Sequence, residues 1–343
     1  MNIVGGLIAA FLSVAVAANA APAKDAKPAV VWKIATLAPD GSTWMNLMHE
    51  FDERVREATG NEVGFKFYPG GVQGDERLVL KKIRSGQLHG GGFTGNGLGV
   101  IAPSLRVVES PFLVEAEGEI DAIYREFGHE FEAAIEAGDH VLLGWADVGF
   151  VHLFTKGGVR NLQDLKSRKM WLWEGDPLPE AFFAEAGVTP VSLAITDVYT
   201  SLQTGLVDGV YCSPYACVVL QWHTQVNSMS EIPISHAIGA VVVSKAAYSK
   251  VSAESRKIVR EIAADVFARL NAASREENRR AIDDIRAAGI QIVPVTGDDL
   301  ATFREIGARA GRRNAGTLYS PELLMRVQAT VAEHRAERGA GTP

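Results

Sequence analysis

An α/β protein made of two similar units is the fold class that the sequence predicts, and three observations predict it. Short runs of β-forming residues alternate along the chain with helical segments that carry one apolar face. The same order of elements recurs in the second half of the sequence. The 343 residues, 47% of them apolar and 22% charged, suit a soluble protein of about two domains. The alternation favours parallel β-α-β construction with right-handed crossovers.

The first half opens as a strand, a loop and a helix. A β-type run over 31–37 ends at a Pro-Asp-Gly turn, and a helix begins behind Ser42 or Thr43 and stops at 59–61. Its apolar residues recur every three or four positions, which places one face on a core: Trp44, Leu47, Met48, Phe51 and Val55. The elements predicted next are a strand over 63–68, a helix over 75–85 and a strand over 90–94.

The second half repeats this order of elements. Its predicted strands cover 141–146, 151–155, 169–173, 189–192 and 207–211. Its predicted helices cover 180–186 and 197–205, and two more begin at Asp298 and at Ser320-Pro321-Glu322, with proline at the first helical position.

The longest helical segment covers 252–288 and stops at Gly289. Ile258, Ile262, Val266 and Leu270 form one apolar stripe along it. A helix of about 37 residues is roughly 55 Å long, which exceeds the diameter of one small domain. We therefore expect it either to bridge the two units or to break near 271–274.

Charge and hydropathy point to an exported protein that does not bind nucleic acid. The formal net charge is −7, and no cluster of Lys or Arg stands clear of acidic neighbours. The one long apolar run, 3–17, is followed by Ala18-Asn19-Ala20. Because it has about 15 residues where a membrane anchor needs roughly 20, it predicts a cleaved signal peptide over 1–20. No cysteine directly follows this run to carry a lipid anchor, so we expect a free periplasmic protein.

The two cysteines of the sequence, Cys212 and Cys217, lie five positions apart. An oxidising compartment permits a disulfide between them but does not require one. Two small buried thiols are the favoured interpretation, and the spacing excludes a C-x-x-C redox pair.

We find no pattern of residues that supports catalysis. His129-Glu130 lacks the second histidine of a zinc helix, and there is no G-x-S-x-G sequence. The glycine-rich segment 90–99 has no Lys-Ser or Lys-Thr pair and no clean G-x-G-x-x-G that opens a helix. Its glycines instead suit tight turns and close approach of a ligand or of another segment. We therefore predict no enzyme, no catalytic residue, no metal and no cofactor.

Several short motifs occur together in a characteristic order. They are YPGGVQGDE at 68–76, IRSGQL at 83–88, LQDLKSRK at 162–169, DVY at 197–199 and LQTGLVDG at 202–209. In this order and spacing they resemble the substrate-binding proteins of tripartite ATP-independent periplasmic (TRAP) transporters, the DctP-like family. The resemblance covers about residues 31–330.

The resemblance implies a two-domain periplasmic binding protein fold with an interdomain cleft, crossing hinge strands and a long bridging helix. It implies a first domain over 31–148 and 238–270 and a second over 149–237 and 290–330. The helix at 252–288 would connect the two. The implied partners are a small-molecule ligand and the small and large TRAP membrane subunits.

Two polar anchors of the family are missing. Members that bind organic acids carry an arginine on the strand after the D-L-K-G-type turn, and Trp171 stands at that position here. An asparagine expected just after the V-D-G strand is also absent, because 210–214 reads VYCSP. Burying a carboxylate without a paired cation costs several kcal/mol. The departures therefore disfavour a simple dicarboxylate or keto acid in the usual pose.

Aromatic residues stand where the anchors are missing. Trp171 and Trp173 alternate on one strand and so point to the same face. Phe150, Phe154, Tyr211 and Trp222 come from neighbouring cleft elements of the family. The alternative for either strand tryptophan is an ordinary core position. The pattern predicts an apolar or amphipathic ligand, and it also resembles the branch of the family that works with a tetratricopeptide-repeat partner.

A mostly apolar pocket uses a few polar groups to orient its ligand. The candidates are Gln73, Glu76, Thr94, Asn96, Gln203 and Ser213. Glu76 at a helix start and Gln203 as a solvated side chain are equally good interpretations. Glu174 and Asp176 precede a helix, where they complement its dipole, or else recognise a cationic group beside the aromatic residues.

Two other functions remain open from the sequence. The receptor could bind an organic acid through a cation supplied from elsewhere, such as Arg77 or Arg168. The protein could instead be an exported scaffold that binds a partner protein and transports no small molecule. A ligand carried through purification would distinguish a receptor from a scaffold.

Overall fold

The computed structural model describes residues 27–340, so the predicted signal peptide over 1–20 lies outside the described residues. In chain order the strands are β1 (Val30–Thr36), β2 (Val63–Tyr68), β3 (Gly90–Thr94), β4 (His140–Trp145), β5 (Gly149–Thr155), β6 (Trp171–Trp173), β7 (Val191–Leu193), β8 (Gly209–Cys212), β9 (Ser228–Ser230), β10 (Ser235–Ala237), β11 (Gly239–Ser244) and β12 (Gln291–Val293).

The helices alternate with these strands. They are α1 (Thr43–Ala58), α2 (Glu76–Arg84), α3 (Gly95–Ile101), α4 (Glu117–Ala137), α5 (Leu162–Lys166), α6 (Pro177–Ala186), α7 (Val198–Thr204), α8 (Pro214–Val219), α9 (Lys245–Tyr248), α10 (Ala253–Ala287), α11 (Gly297–Asn314) and α12 (Pro321–Ala340). Short 3-10 helices cover Pro103–Glu109, Ile195–Asp197 and Trp222–Gln225. The predicted α/β class is confirmed.

Side-chain caps start the helices that the sequence predicted. The Ser42 hydroxyl accepts a hydrogen bond from the Met45 backbone N–H at the start of α1. Asp75 caps α2 and Ser252 caps α10 in the same way. Serine and aspartate are strong N-caps because their side-chain oxygens satisfy backbone donors that the first helical turn leaves free.

The first sheet has the strand order β2-β1-β3-β11-β4. β1 runs parallel to β2 and β3, whereas β11 runs antiparallel to β3 and β4. Successive β1 residues face opposite cores: Ile34 packs with α1 and α10, and Ala35 packs with α2, α3 and α4. Helices therefore cover both faces of this sheet.

The second sheet has the order β10-β5-β9-β12, and β8 lies against the other edge of β5. β6 and β7 form a separate parallel pair. The predicted parallel construction holds for this pair, for β9 with β12 and for β1 with its neighbours, but β5 and β11 run antiparallel to their partners. The reason is that the chain reaches each of these strands directly from a strand of the other sheet: β5 follows β4, and β11 follows β10. No helical crossover within one sheet sets their direction.

Three segments connect the two sheets. The chain crosses at 146–148 between β4 and β5, returns at Ile238 between β10 and β11, and crosses again in α10. α10 is continuous over Ala253–Ala287, so the predicted alternative of a break near 271–274 is wrong. Its Val259 and Leu270 pack in a core of the first sheet, and its Ile285 packs in the core beside β8.

One polar face of α10 binds the first crossing. Asn271 accepts from the Asp147 backbone N–H at 2.6 Å, and Asn278 donates to the Val148 carbonyl at 3.0 Å. Between them, Arg275 pairs with the Asp147 carboxylate at 2.9 Å. These polar residues keep helical backbone geometry, so the segment 271–274 carries no break.

The last helix departs from the predicted division of the chain. The sequence places 290–330 wholly with the second unit, and α11 does pack on α6 of that unit. α12, however, packs on α4, and its Leu323, Val327 and Val331 belong to a core of the first sheet. An amphipathic helix at a chain end carries no signal for which of two apolar surfaces it will cover. The sequence also offers no prediction for 95–137, which holds α3, α4 and the 3-10 helix Pro103–Glu109.

Among the described residues, we find no helix whose length and apolar character would let it cross a bilayer.

Candidate ligand-binding site

A cavity of about 250 Å³ lies between the two sheets. The first sheet and its helices contribute the end of β1, the start of α1, the β3–α3 junction and the 3-10 helix Pro103–Glu109. The second sheet contributes β6, α6, β8 and α8 with the residues that follow them. The cavity therefore lies beside the crossings, which contribute 146–148 and Ala237 to its lining.

Four aromatic side chains, Trp171, Trp173, Tyr211 and Trp222, form one side of the cavity and are here called the aromatic wall. Trp171 is 1% exposed. Its ring stacks on Tyr211 with centroids 4.9 Å apart and meets the edge of Trp222 at 5.4 Å. Trp173 lies 5.7 Å from Trp171. Such stacked and edge-to-face pairs fix the orientation of each ring.

Protein partners bond polar atoms of three rings of the aromatic wall. The Trp171 indole N–H donates to the Leu193 carbonyl at 3.0 Å, and the Trp173 indole N–H donates to Asp75 at 2.8 Å. The Tyr211 hydroxyl accepts from the Trp173 backbone N–H at 3.1 Å. The two strand tryptophans therefore offer carbon surface to a ligand. Because Asp75 caps α2, its bond to Trp173 also ties the first unit to the second.

The glycine-rich β3–α3 junction makes room for buried carboxylates. Glu76 accepts from the Thr94 backbone N–H at 2.7 Å and from the Gly97 N–H at 2.6 Å. A Cβ at Gly97 would lie 2.7 Å from Glu76 Oε2, and a Cβ at Gly95 would overlap the Glu109 carboxylate. The glycines thus admit charged side chains from two other segments, a use that fits the predicted close approach.

Asn96 is buried beside this junction and borders the cavity. Neither polar atom of its carboxamide has a hydrogen-bond partner. A buried amide that lacks partners costs about 1–3 kcal/mol for each unmet group. Among the predicted polar residues, Asn96 therefore has a buried donor and a buried acceptor that both remain unpaired.

A buried cation reaches the cavity from the 3-10 helix Pro103–Glu109. Arg106 pairs with Glu109 at 2.7 Å and, across the cavity, with Asp176 at 3.0 Å; these three residues are here called the Arg106 cluster. Burial works against the charged guanidinium, but Asp176 and Glu109 outweigh it and raise the pKa of Arg106 above its ordinary value. Burial raises the pKa of Glu109, which Arg106 opposes. Arg106 is the one Arg or Lys among the described residues that line the cavity.

The structure brings most of the predicted site residues together. Those that line the cavity are Trp171, Trp173, Tyr211, Trp222, Glu76, Thr94, Asn96 and Ser213. Ser213 also caps α8 by accepting from the Ala216 N–H.

Four predicted residues do not line the cavity, and one of them, Phe154, is fully buried in the core beside β8. Phe150 packs edge-on against His236 at 4.9 Å, because its neighbour Val151 takes the cavity side of β5 and successive strand residues face opposite ways. The Gln73 amide oxygen accepts from Lys82 at 2.9 Å. Gln203 is exposed on α7, whose buried face is formed by other residues.

The cations proposed for an organic-acid ligand are also elsewhere. Arg77 donates to the Gly175 carbonyl, and Arg168 donates to the Lys156 carbonyl at 2.9 Å. Neither lines the cavity. Sequence reasoning missed Arg106, although one signal was present: it is a single charge inside the apolar run Leu105 to Val108, which is typical of a buried, paired side chain.

Two smaller predictions concern the cavity rim. Asp176 accepts from the Leu178 N–H as the N-cap of α6, which bears out the interpretation that it complements the helix start. Glu174 is exposed. Cys212 and Cys217 are free thiols, and burial raises the pKa of Cys212.

Comparison with known proteins identifies the class to which this architecture belongs. The family model described as bacterial extracellular solute-binding protein, family 7 (DctP), matches residues 34–314. The chain belongs to this family, which confirms the resemblance drawn from the motifs.

Individual relatives are distant but cover most of the chain. A solute-binding protein of Chromohalobacter salexigens is 28% identical over 264 residues, 75% of this chain and 76% of that protein. A TRAP periplasmic solute binding protein of Ralstonia eutropha, crystallised with (S)-2-acetolactate, has a TM-score of 0.82 at 21% identity and covers 88% of this chain and 99% of its own.

A second crystal structure, of a TRAP periplasmic solute binding protein of Chromohalobacter salexigens with bound D-glucuronate, has a TM-score of 0.79 at 23% identity, covering 87% of this chain and 99% of its own. These likenesses confirm the predicted two-domain periplasmic binding protein fold.

Stability should depend on pH through Glu76. Burial outweighs its hydrogen bonds and raises the pKa of Glu76 from 4.5 to about 8. The unfolded chain releases the Glu76 proton at lower pH than the folded chain does. The stabilisation of the folded state by protonated Glu76 is therefore complete below about pH 4.5 and is lost as pH rises to about 8. Thermal unfolding from pH 5 to 8.5 should therefore show a larger fall in Tm for wild type than for Glu76→Gln. The exposed variant Glu174→Gln should behave as wild type, and parallel curves for wild type and Glu76→Gln would contradict the assignment.

Proposed function

We propose that the protein is a periplasmic receptor of a TRAP-type transporter and that it closes over an uncharged apolar or amphipathic small molecule. The single observation that carries the proposal is the position of Trp171 in the cavity. A stacked aromatic wall stands where acid-binding relatives keep an arginine. Each large aromatic side chain buries roughly 150–250 Å² of surface, so the wall favours a ligand that presents carbon.

The charges around the cavity support an uncharged ligand. Three carboxylates line it, from Glu109, Asp147 and Asp176, against the single guanidinium of Arg106, and Glu76 lines it largely protonated at neutral pH because its pKa is raised to about 8. Asp147 is paired with His236 at 2.9 Å and with Arg275. A ligand carboxylate would add a negative charge to a site whose one cation is already paired. Burying such a charge costs several kcal/mol.

Receptor function would follow from the fold. We propose that residues 31–148 with 238–270, joined by α12, move against 149–237 with 290–314 about the crossings at 146–148 and Ile238. Ligand binding would shift the equilibrium from open to closed, and the closed form would dock on the TRAP membrane subunits without catalysis. The predicted signal peptide would direct the chain to the periplasm. A tetratricopeptide-repeat partner has support only from the sequence pattern.

The test uses two probes that share an apolar chain and differ in a head group that is neutral in one and charged in the other. Octanol and octanoate share one chain length, but octanoate is negatively charged at neutral pH. Four of the six tryptophans line the cavity, so intrinsic fluorescence reports binding there. We expect ligand-free protein to bind octanol with a saturable change in emission and octanoate at least about tenfold more weakly, because the charged group must be desolvated without a free cation. Absence of any saturable response to octanol would overturn the proposal.

An organic acid is the second candidate, and two observations favour it. The Ralstonia eutropha and Chromohalobacter salexigens structures hold acetolactate and glucuronate, and Arg106 provides a guanidinium at the cavity. D-Glucuronate titrated beside D-glucose distinguishes the candidates. Tight binding of glucuronate and none of octanol would favour the acid.

A further inference from the structure

The Arg106 cluster joins the two units through the guanidinium of Arg106. Nε of Arg106 lies 2.7 Å from Oε2 of Glu109, which follows it by one helical turn. Nη2 lies 3.0 and 3.1 Å from the two oxygens of Asp176, on the other side of the cavity. The side chains are 5%, 7% and 6% exposed for Arg106, Glu109 and Asp176. The protein thus binds its own buried cation with its own carboxylates.

A guanidinium is the group that best recognises a carboxylate, because its planar N–H groups match two carboxylate oxygens. Here Asp176 accepts from Nη2, and the Glu109 carboxylate lies 2.7 Å from Nε, so two carboxylates already surround the one guanidinium. A ligand carboxylate beside Arg106 would meet the repulsion of both, or would have to displace one and leave a buried negative charge unpaired. We propose that Asp176 acts as an internal substitute for a ligand carboxylate and is the residue that excludes anionic ligands from the cavity. The inference rests on the proposed function and names the determinant of its specificity.

Asp176 is a better candidate for this role than Glu109. Glu109 is held in place: its second oxygen accepts from the Ile238 N–H at 2.9 Å at a crossing, and Gly95 leaves the space for it. Asp176 comes from the other unit, so its contact with Arg106 depends on how the units meet. Its remaining bond, from the Leu178 N–H at 3.1 Å, is an N-cap interaction.

That cap makes Asp176→Asn a clean variant. Asparagine caps a helix about as well as aspartate, and it fills the same volume. The substitution removes one negative charge beside Arg106 and keeps the start of α6. Asp283→Asn on the exposed surface of α10 makes the same change in net charge far from the cavity and is the matched control.

The experiment measures the affinities of octanol and octanoate for wild type, Asp176→Asn and Asp283→Asn by calorimetry at neutral pH. We expect Asp176→Asn to bind octanoate at least about tenfold more tightly than wild type, because a charge-assisted bond to Arg106 becomes available. Its gain for octanoate should exceed any change for octanol by at least about fivefold, and Asp283→Asn, far from the cavity, should match wild type for both probes. Glu109→Gln removes the other carboxylate beside Arg106 and should also gain octanoate affinity. It replaces Asp176→Asn in the experiment if that variant does not fold.

The outcomes separate this inference from the proposed function. If octanol binds but neither Asp176→Asn nor Glu109→Gln gains affinity for octanoate, Asp176 does not exclude anions, and the proposed ligand class stands. If wild type binds octanoate as tightly as Asp176→Asn does, the inference is overturned. If no form binds octanol while Asp176→Asn gains octanoate, the inference holds and the proposed ligand class fails.

Discussion

Replacing Arg106 with methionine should lower the free energy of unfolding by about 3–5 kcal/mol. The change leaves two buried carboxylates, Glu109 and Asp176, without their shared cation, and one of them links the two units. Chemical denaturation at neutral pH measures the effect. The exposed variant Arg304→Met, which breaks a surface pair with Glu115, should cost less than about 1 kcal/mol.

A triple variant tests the cause of that loss. Arg106→Met combined with Glu109→Gln and Asp176→Asn removes all three charges together, so it should recover part of the stability lost by Arg106→Met alone. Stability of Arg106→Met within about 1 kcal/mol of wild type would contradict a buried, energetically coupled cluster.

Replacing Trp171 with alanine should weaken octanol binding by at least about 1 kcal/mol, a factor of more than about five. The loss follows because Trp171 borders the cavity and holds Tyr211 and Trp222 in place through ring contacts. Calorimetry measures the affinity.

The control for Trp171→Ala is Trp145→Ala. Trp145 stacks on Tyr124 at 4.8 Å and does not line the cavity. It should alter stability without a comparable change in octanol affinity. Equal octanol affinity of wild type and Trp171→Ala would contradict a contribution of Trp171 and the aromatic wall to binding.

The elements of the fold were predictable where a local signal determines them. The Ser42 and Asp75 caps and the alternation of apolar residues define α1, α2 and β1 to within about two residues. The position of α12 was not predictable, because its apolar stripe fits more than one surface. The directions of β5 and β11 depend on the crossings between units, which no local pattern records.

The aromatic half of the site was predictable and the charged half was not. Trp171 and Trp173 share a face because side chains alternate along a strand, and the family motifs place that strand at the cleft. Arg106 and Asp176 lie 70 positions apart, and their contact exists only after the two units pack together. The glycines at 95, 97 and 99 were visible in the sequence, but their role as space for Glu109, Glu76 and Arg106 depends on tertiary contacts.

The most direct test of the central claim is the identity of the molecule that the protein carries. Protein purified from its native host under non-denaturing conditions would be weighed intact, then extracted, and the released compound identified by mass spectrometry. We expect an uncharged apolar or amphipathic compound, bound in about equimolar amount to wild type and in a smaller amount to a parallel preparation of Trp171→Ala. A dicarboxylate, a uronate or another organic acid released in equimolar amount would contradict it.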